Sequence, residues 1–291
     1  MKKTFKILPI TLQQSDLGKN LKVTVAETAP FSKKGAKAAV SVIFKNRKLT
    51  ENVDYKLTYS ANKAVTKENT KTMPSVTIKG MGAFTGTIKG ADELKFSIVK
   101  ADLNDPAAGI SVRVSDVVYA DQAGKFMAEP EVKEADGTKL VKGSNKDYVV
   151  KYFVTENGTE TEKTASDKLE AGTNVKVVVS ATENSNYTGE TSREYRVVKA
   201  SIGTANVVVN AQTYTGKAVT LKEEDFKKVK VGNDLLKMGE DYEIVPGSYK
   251  DNVNKGNATV TIRGIGNYGG TRQVTYRISS YMMRWWWNLF G

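Results

Sequence analysis

Apolar and polar residues alternate along most of this chain. Val23 and Val25, Val76 and Ile78, Val175 and Val177, and Val260 and Ile262 each flank one polar residue, and Val274, Tyr276 and Ile278 extend the pattern. A period of two sends alternate side chains to opposite faces of an extended backbone, so these runs predict strands with one buried face. Val, Ile, Thr and Tyr supply the branched and aromatic content that a pleated, half-buried surface favours. Gly, Asn and Asp punctuate the runs at Asp136-Gly137, Asn157-Gly158, Lys255-Gly256-Asn257 and Gly269-Gly270, where turns are expected. Only the segment from Thr220 to Phe226 reads as briefly helical, with Thr220 as its N-cap and acids in its first turn. Short strands about 8–12 residues apart predict an all-β chain built as antiparallel β-sandwich.

The pattern also repeats at long range. The first third carries Asp54-Tyr55, a glycine-rich stretch from Gly80 to Gly86 around Phe84, and Phe96-Ser97-Ile98. The last third carries Asp241-Tyr242, Gly264 to Gly270 around Tyr268, and Tyr276-Arg277-Ile278. A looser middle copy reads Asp147-Tyr148, Asn186-Tyr187-Thr188-Gly189 and Tyr195-Arg196-Val197. The Asp-Tyr pairs lie 93 and then 94 residues apart. A repeat of that length is a domain rather than a solenoid unit, and about 95 residues suffice for an independent core. The expected division is 1–100, 101–199 (the degenerate copy) and 200–279, followed by a Trp-rich tail over 280–291. The joints Val99 to Leu103 and Val198 to Ile202 hold no Gly/Ser or Pro-rich spacer, so the modules are expected to meet end to end as a stiff, elongated rod. Extra residues from Ala64 to Pro74 and from Glu156 to Ala171 are expected in surface loops.

Each repeated residue has a structural reason. Glycines around Phe84, Tyr187 and Tyr268 allow positive φ in tight turns while the aromatic enters the core. The Asp before each Tyr suits a turn whose carboxylate bonds nearby backbone N–H groups. Phe31, Tyr119 and Tyr214 precede the same Asp-Tyr by 23, 28 and 27 residues. Recurrence in all three copies points to fold-determining roles, with a replicated binding site as the other reading.

Composition then removes whole classes of chemistry. The chain has no Cys and no His. Disulfides, thiolate nucleophiles, Ser-His and Cys-His pairs and Cys- or His-based zinc sites are excluded. The formal charge of +12 is spread along strands, as at Lys22, Lys45, Lys56, Lys79, Lys95, Lys151 and Lys176. Such lysines keep strand faces solvated and edges unpaired; attraction to polyanionic wall polymers or glycans is the sharper reading. No dense basic cluster interleaved with aromatics is present, which argues against nucleic acid. Met1-Lys2-Lys3 resembles the start of an export signal without its apolar core. Thr4-Phe5-Lys6-Ile7 instead matches the strand that closes each repeat, as though a preceding module ended here. The chain is therefore expected to be a fragment of a longer exported protein.

Gly264, Gly266 and Gly269 satisfy a dinucleotide-loop spacing, but Thr271 to Ile278 alternates as a strand where that loop needs a helix. Glu223-Glu224-Asp225 and Asp92-Glu93 read as solvated turns, since paired catalytic carboxylates need a concave scaffold. Asp251 to Asn254 is an oxygen-rich turn without calcium-loop spacing. No catalytic, cofactor or metal residue is expected. The anomaly is the end of the chain, where Arg284, Trp285, Trp286, Trp287, Leu289 and Phe290 follow one another closely. Three consecutive Trp cannot all face one core. They point to docking on a partner or on the chain itself, to interfacial membrane attachment, or to packing back on the last module. The run is far too short to span a bilayer.

The stretch from Asp241 through Asn254-Lys255-Gly256 and Gly264-Ile265-Gly266-Asn267-Tyr268 to Tyr276-Arg277-Ile278 resembles the tandem Ig-like (MBG-type) β-sandwich repeats of large Gram-positive cell-surface and adhesin-like proteins. The first third matches well; the second lacks the Gly-x-Gly. The resemblance implies three tandem Ig-like sandwiches on a bacterial cell surface, acting as a non-enzymatic stalk or adhesin segment. It implies a monomer whose partners are a host or cell-wall glycan or a surface protein. The alternative is a carbohydrate-binding array attached to a polysaccharide-degrading enzyme. A stalk under mechanical load would also suit a Lys–Asn or Lys–Asp isopeptide bond, although abundance of all three residues nominates no pair.

Overall fold

The computed structural model describes residues 8–280. Thr4-Phe5-Lys6-Ile7 and the whole run from Arg284 to Phe290 lie outside the described residues. Within them the chain is all-β. The only helical turns are single 3-10 turns at Gln14–Asp16, Asp92–Leu94, Pro106–Ala108, Ile202–Thr204 and Glu223–Asp225. The chain divides into two compact units: one of Met1–Val112, Glu131–Val150 and Val179–Thr191, the other of Arg113–Pro130, Lys151–Val178 and Ser192–Gly291. The division falls within the strands Tyr148–Glu156, Asn174–Ala181 and Glu190–Val198 of the middle third.

In the second unit, Gly256–Gly264 and Thr271–Ser279 form a long antiparallel ladder from Gly256↔Ile278 to Arg263↔Thr271. Tyr242–Ile244 and Gln212–Thr213 flank it. Its alternating residues Ala258, Val260, Ile262, Val274, Tyr276 and Ile278 are all buried. They share one core with Val229 and Leu236, contributed by the sheet of Asn206–Val209, Phe226–Val231 and Asp234–Leu235 and the residue just after it. Two sheets closing on one core make a sandwich. The first unit repeats the arrangement. Leu21–Val25, Val40–Phe44 and Arg47–Lys48 form one sheet, and Tyr55–Ser60, Ser75–Gly80 and Thr87–Ile88 the other. Leu21, Val42 and Phe44 meet Tyr55, Val76, Ile78 and Ile88 between them. A second cluster of this unit joins Phe31, Phe96 and Ile98 to Leu103, Val112, Val132, Tyr148, Val179 and Tyr187.

The period-two reading of Val76, Ile78, Val175, Val177, Val260 and Ile262 matches their burial, and Val23 and Val25 are half-buried. Phe84, Tyr187 and Tyr268 are buried, between Gly82 and Gly86, before Gly189, and between Gly266 and Gly270, all with positive φ. The three Asp-Tyr carboxylates hold turn amides as expected: Thr50 N donates to Asp54 at 2.9 Å, Val141 N to Asp147 at 2.7 Å and Lys237 N to Asp241 at 3.0 Å. The long ladders are antiparallel, but short parallel pairings finish each third. Thr28–Pro30 runs parallel to Ser97–Val99, Val117–Val118 to the end of Glu190–Val198, and Gln212–Thr213 to the end of Thr271–Ser279. Pairings of two or three residues carry no readable periodicity, so alternation could not announce them.

Two local expectations need correction. The segment from Thr220 is not a helix capped by Thr220: it is one 3-10 turn, Glu223–Asp225, opened at Lys222, whose N–H donates to Asp225 at 2.9 Å. The acids favour a turn start, but the alternating Phe226–Val231 claims the following residues for the sheet. The extra residues of the middle third are not all loop either. Thr159–Lys163 forms an added edge strand against Tyr148–Glu156, through the Asn157-Gly158 turn where both residues have positive φ. Its exposed faces carry charge, including the Lys151–Glu162 pair at 3.0 Å, which suits an edge that must not recruit further strands.

The buried tyrosines set an alkaline limit. Burial pushes Tyr59, Tyr195, Tyr242 and Tyr276 up to about 12 from an ordinary value of 10.0. Their folded values lie above their unfolded ones, so this stabilisation is fully present below pH 10.0 and is lost as pH rises through about 12. Unfolding is expected to accompany phenolate formation across that window. A titration followed by phenolate absorbance and far-ultraviolet dichroism would contradict this if the tyrosines ionised below it with the fold intact.

Candidate functional site at the repeat junctions

The segments joining the repeats are strands. Ala101–Asp102 runs parallel to Tyr187–Thr188, and Ala200–Ser201 runs parallel to Tyr268–Gly269. Both Ala101 and Ala200 are buried, as are the next apolar residues, Leu103 and Ile202. Each joint therefore delivers the chain directly against the buried tyrosine of the next repeat.

That tyrosine meets the early aromatic of the repeat before it. In the first unit, Phe31 and Tyr187 pack edge to face, with centroids 5.6 Å apart at 89°. In the second, Tyr119 and Tyr268 do the same at 5.6 Å and 86°. The ring quadrupole favours this geometry. A carboxylate completes each contact. The Tyr187 hydroxyl donates to Glu134 at 2.6 Å, and Glu134 also accepts from Lys33 N at 3.0 Å and from the Ser32 hydroxyl at 3.0 Å. The Tyr268 hydroxyl donates to Asp234 at 3.2 Å, and Asp234 accepts from Asp121 N at 2.9 Å. In both, the amide held by the acid lies two residues after the aromatic.

The two junctions differ in burial. Glu134 is 5 % exposed, and its three donors satisfy a charge that would otherwise be costly to bury. Lys33 adds an ion pair to Asp147 at 2.6 Å. Asp234 is only half-buried, and its surroundings are reinforced at the rim. Lys168 pairs with Asp121 at 2.8 Å, Ala171 N donates to the Asn267 side chain at 2.8 Å, and the Asn267 amide bonds Glu170. Burial and, next, the Glu134 bond raise the Tyr187 hydroxyl well above its ordinary value. Burial and, next, the Asp234 charge do the same to Tyr268, and Tyr119 is pushed up to about 12 by burial first and Asp121 second. All three hydroxyls are held neutral, those of Tyr187 and Tyr268 as donors to their carboxylates.

Shallow grooves flank both contacts. One of about 380 Å³ beside Phe31 is bordered by Lys34, Lys37, Glu134 and Asp136. One of about 490 Å³ beside Tyr119 is bordered by Lys125, Lys199 and Asp234. Charges of both signs line each of them.

The outer ends of the series are built from the same parts without the same contacts. In the first third, Phe84 replaces the tyrosine and has no hydroxyl; Arg47 stands over its ring at 5.7 Å and bonds Asp54 at 3.2 Å. In the last third Tyr214 holds the place of Phe31 and Tyr119. All three anchor to the end of their closing strand: Phe31 N donates to Val99 O at 2.9 Å, Tyr119 N to Val198 O at 2.8 Å and Tyr214 N to Ser279 O at 2.8 Å. Yet Phe31 is 7 % exposed and Tyr214 39 %. Lys255 covers one face of Tyr214 at 5.2 Å.

Repetition in the sequence singled out all three aromatics, but not Glu134 or Asp234. Those acids stand at different distances before their Asp-Tyr, and Arg47 occupies the corresponding hairpin of the first third. No spacing rule could have found them. The glycines that mimic a dinucleotide loop serve the backbone instead. A Cβ on Gly264 would lie 2.6 Å from Gly269 N, and one on Gly80 2.7 Å from Thr85 O. Thr271–Ser279 is a strand, so no helix end faces that loop. Glu223-Glu224-Asp225 and Asp92-Glu93 open 3-10 turns. Asn252, in the oxygen-rich turn, exchanges hydrogen bonds with Val219. Among the described residues no group of His, Cys, Asp and Glu could hold a metal ion, and no helix is long and apolar enough to cross a membrane.

No protein-family model and no curated protein matches this chain. Among solved structures it is similar to protocadherin gamma B2 extracellular cadherin domains 3–6, at 11 % identity over 89 % of this chain and 76 % of that one, with a TM-score of 0.22. The protocadherin gamma B7 cis-dimer structure of the corresponding domains gives 12 % identity, the same coverages and a TM-score of 0.22. Scores this low describe no shared global arrangement.

Proposed function

We propose that this chain is a non-enzymatic stalk or adhesion segment of a bacterial cell surface. It consists of Ig-like sandwich modules over 1–100, 101–199 and 200–279, set end to end. The observation that carries this reading is the junction built twice from equivalent residues: Phe31, Glu134 and Tyr187 in one case, Tyr119, Asp234 and Tyr268 in the other. A contact that recurs wherever one repeat succeeds another serves to hold successive modules in register. Neither copy carries groups suited to turnover: each acid is engaged by backbone and hydroxyl donors, and the chain has no His or Cys. The resemblance to MBG-type repeats of Gram-positive surface proteins supports the extracellular setting and a glycan or surface protein as partner. Residues Arg284, Trp285, Trp286, Trp287, Leu289 and Phe290 form its docking element.

Small-angle scattering tests the arrangement. The full chain is expected to scatter as an elongated monomer, with a radius of gyration well above the roughly 19 Å of a compact globule of this length. A globular profile would sink the stalk.

A further inference from the structure

We propose that the outer face of the sheet Tyr55–Ser60, Ser75–Gly80 and Thr87–Ile88 binds the carboxylates of an anionic glycan, with Lys56 and Lys79 as its two cations. The inference deepens the partner class named above and rests on that reading for the glycan. Lys56 and Lys79 stand directly opposite each other across the ladder, and both are exposed. Side chains so placed start about 4.5–5.5 Å apart, and like charges there repel. Among the described residues neither lysine has an ion-pair partner. The other repeats put an acid at this place. Glu243 follows Asp241-Tyr242 as Lys56 follows Asp54-Tyr55, and Arg263 precedes Gly264 as Lys79 precedes Gly80. Those two face each other in the same register and form an ion pair. In the middle third the corresponding strands hold Glu190, which accepts from the Ser180 hydroxyl at 3.0 Å. The first third carries a second cation where the others carry a carboxylate.

The chain itself shows what such a pair takes up. Lys133 and Lys139 also stand directly opposite across an antiparallel bridge, and the Glu131 carboxylate joins them at 2.7 and 3.2 Å. Hydrogen bonds from Lys133 and then Lys139 hold that carboxyl below its ordinary range. Lys56 and Lys79 have the same cross-strand register without an internal acid, so their carboxylate has to come from outside. The rest of the face selects for sugar. Thr58 lies opposite Thr77, Ser60 opposite Ser75 and Thr87 opposite Lys79, so hydroxyls cover the face beyond the lysines. They can donate to and accept from the hydroxyls of a polysaccharide. Ring stacking contributes nothing, because Tyr55, Leu57 and Tyr59 alternate to the core side. A neutral glycan therefore has no foothold, whereas a uronate polymer meets two cations and a field of hydroxyls.

Calorimetric titration of the full chain with polygalacturonate oligomers tests the face, with neutral galactan oligomers as the reference probe. The uronate is expected to bind and the neutral glycan not, with affinity falling as salt rises from about 0.01 to 0.15 M. Lys56→Glu restores the charge arrangement of Glu243 and Arg263, so it is expected to weaken binding about tenfold without lowering the unfolding temperature. Lys56→Ala is expected to weaken it about threefold. Lys22→Glu, on the other sheet of the same sandwich, makes the same change in net charge and is expected to leave binding as it was. Equal losses at Lys22 and Lys56 would reduce the effect to the overall charge of +12 and overturn the proposal. So would no binding of the uronate, equal binding of the neutral glycan, or tighter binding of polyglutamate or polyphosphate. Uronate binding by a chain that scatters as a globule would keep this face and reject the stalk. An elongated chain that binds no uronate would reject the face and keep the stalk.

Discussion

Glu134→Ala is expected to lower the stability of its unit by about 3 kcal/mol, because it strands several donors at once. The carboxylate accepts from the Tyr187 hydroxyl, Lys33 N and the Ser32 hydroxyl, and none of them has water as a ready substitute at a site 5 % exposed. Leaving a buried donor unsatisfied costs roughly 1–3 kcal/mol, more than the bond itself adds. Glu134→Gln keeps a carbonyl acceptor and should lose about half as much. Asp234→Ala, at the half-buried counterpart with its longer 3.2 Å tyrosine bond, should cost about 1 kcal/mol. Urea denaturation gives the ordering, and amide exchange gives its location: the Lys33 N–H should lose protection in Glu134→Ala. Equal losses at Glu134 and Asp234, or an unchanged Lys33 amide, would show that the buried acid is not what fastens the first junction.

Gly86→Ala is expected to be at least as damaging, at about 3–4 kcal/mol, for a backbone reason. Gly86 has φ +92, and a Cβ there would lie 2.2 Å from Leu12 O. The residue is where the entering strand Ile10–Thr11 passes alongside Phe84–Thr85, and Leu12 N donates to Thr85 O at 2.8 Å. Relief of the clash requires moving backbone, which pulls on buried Leu12 and Phe84 together. Gly137→Ala is the control. Its φ of +85 is similarly left-handed, but nothing lies within 4 Å of the added Cβ, so it should cost only the conformational penalty of about 1 kcal/mol. Thermal and denaturant unfolding that placed the two variants together would mean the Leu12 crossing is looser than its geometry.

How much of this was legible beforehand depended on how each feature is encoded. The strands Ser75–Gly80, Asn174–Ala181, Gly256–Gly264 and Thr271–Ser279 were readable because alternation is local and the buried face forces it. The Asp-Tyr turns and glycine-flanked aromatics were readable because three copies of one sequence signature restate one conformational demand. The acids of the junctions were not. Glu134 and Asp234 sit on hairpins of different length, and only folding brings each under a tyrosine that lies 53 or 34 residues later. The added strand Thr159–Lys163 has no local signal, because its exposed, charged residues show no apolar period; pairing with Tyr148–Glu156 decides it. Likewise the Thr220 segment lost its helix to the sheet that Phe226–Val231 joins.

By itself, then, the order of residues determined an all-β chain, its threefold recurrence, its strand faces and the glycines its turns require. Those are properties of neighbours, set by backbone sterics and by which side chains avoid water. Tertiary structure alone decided which carboxylate meets which tyrosine, that the joining segments become parallel strands, and that Tyr214 is left open where Phe31 is closed. These are pairings between distant segments, and a hydrogen bond to a buried charge has no local signature in the chain that makes it.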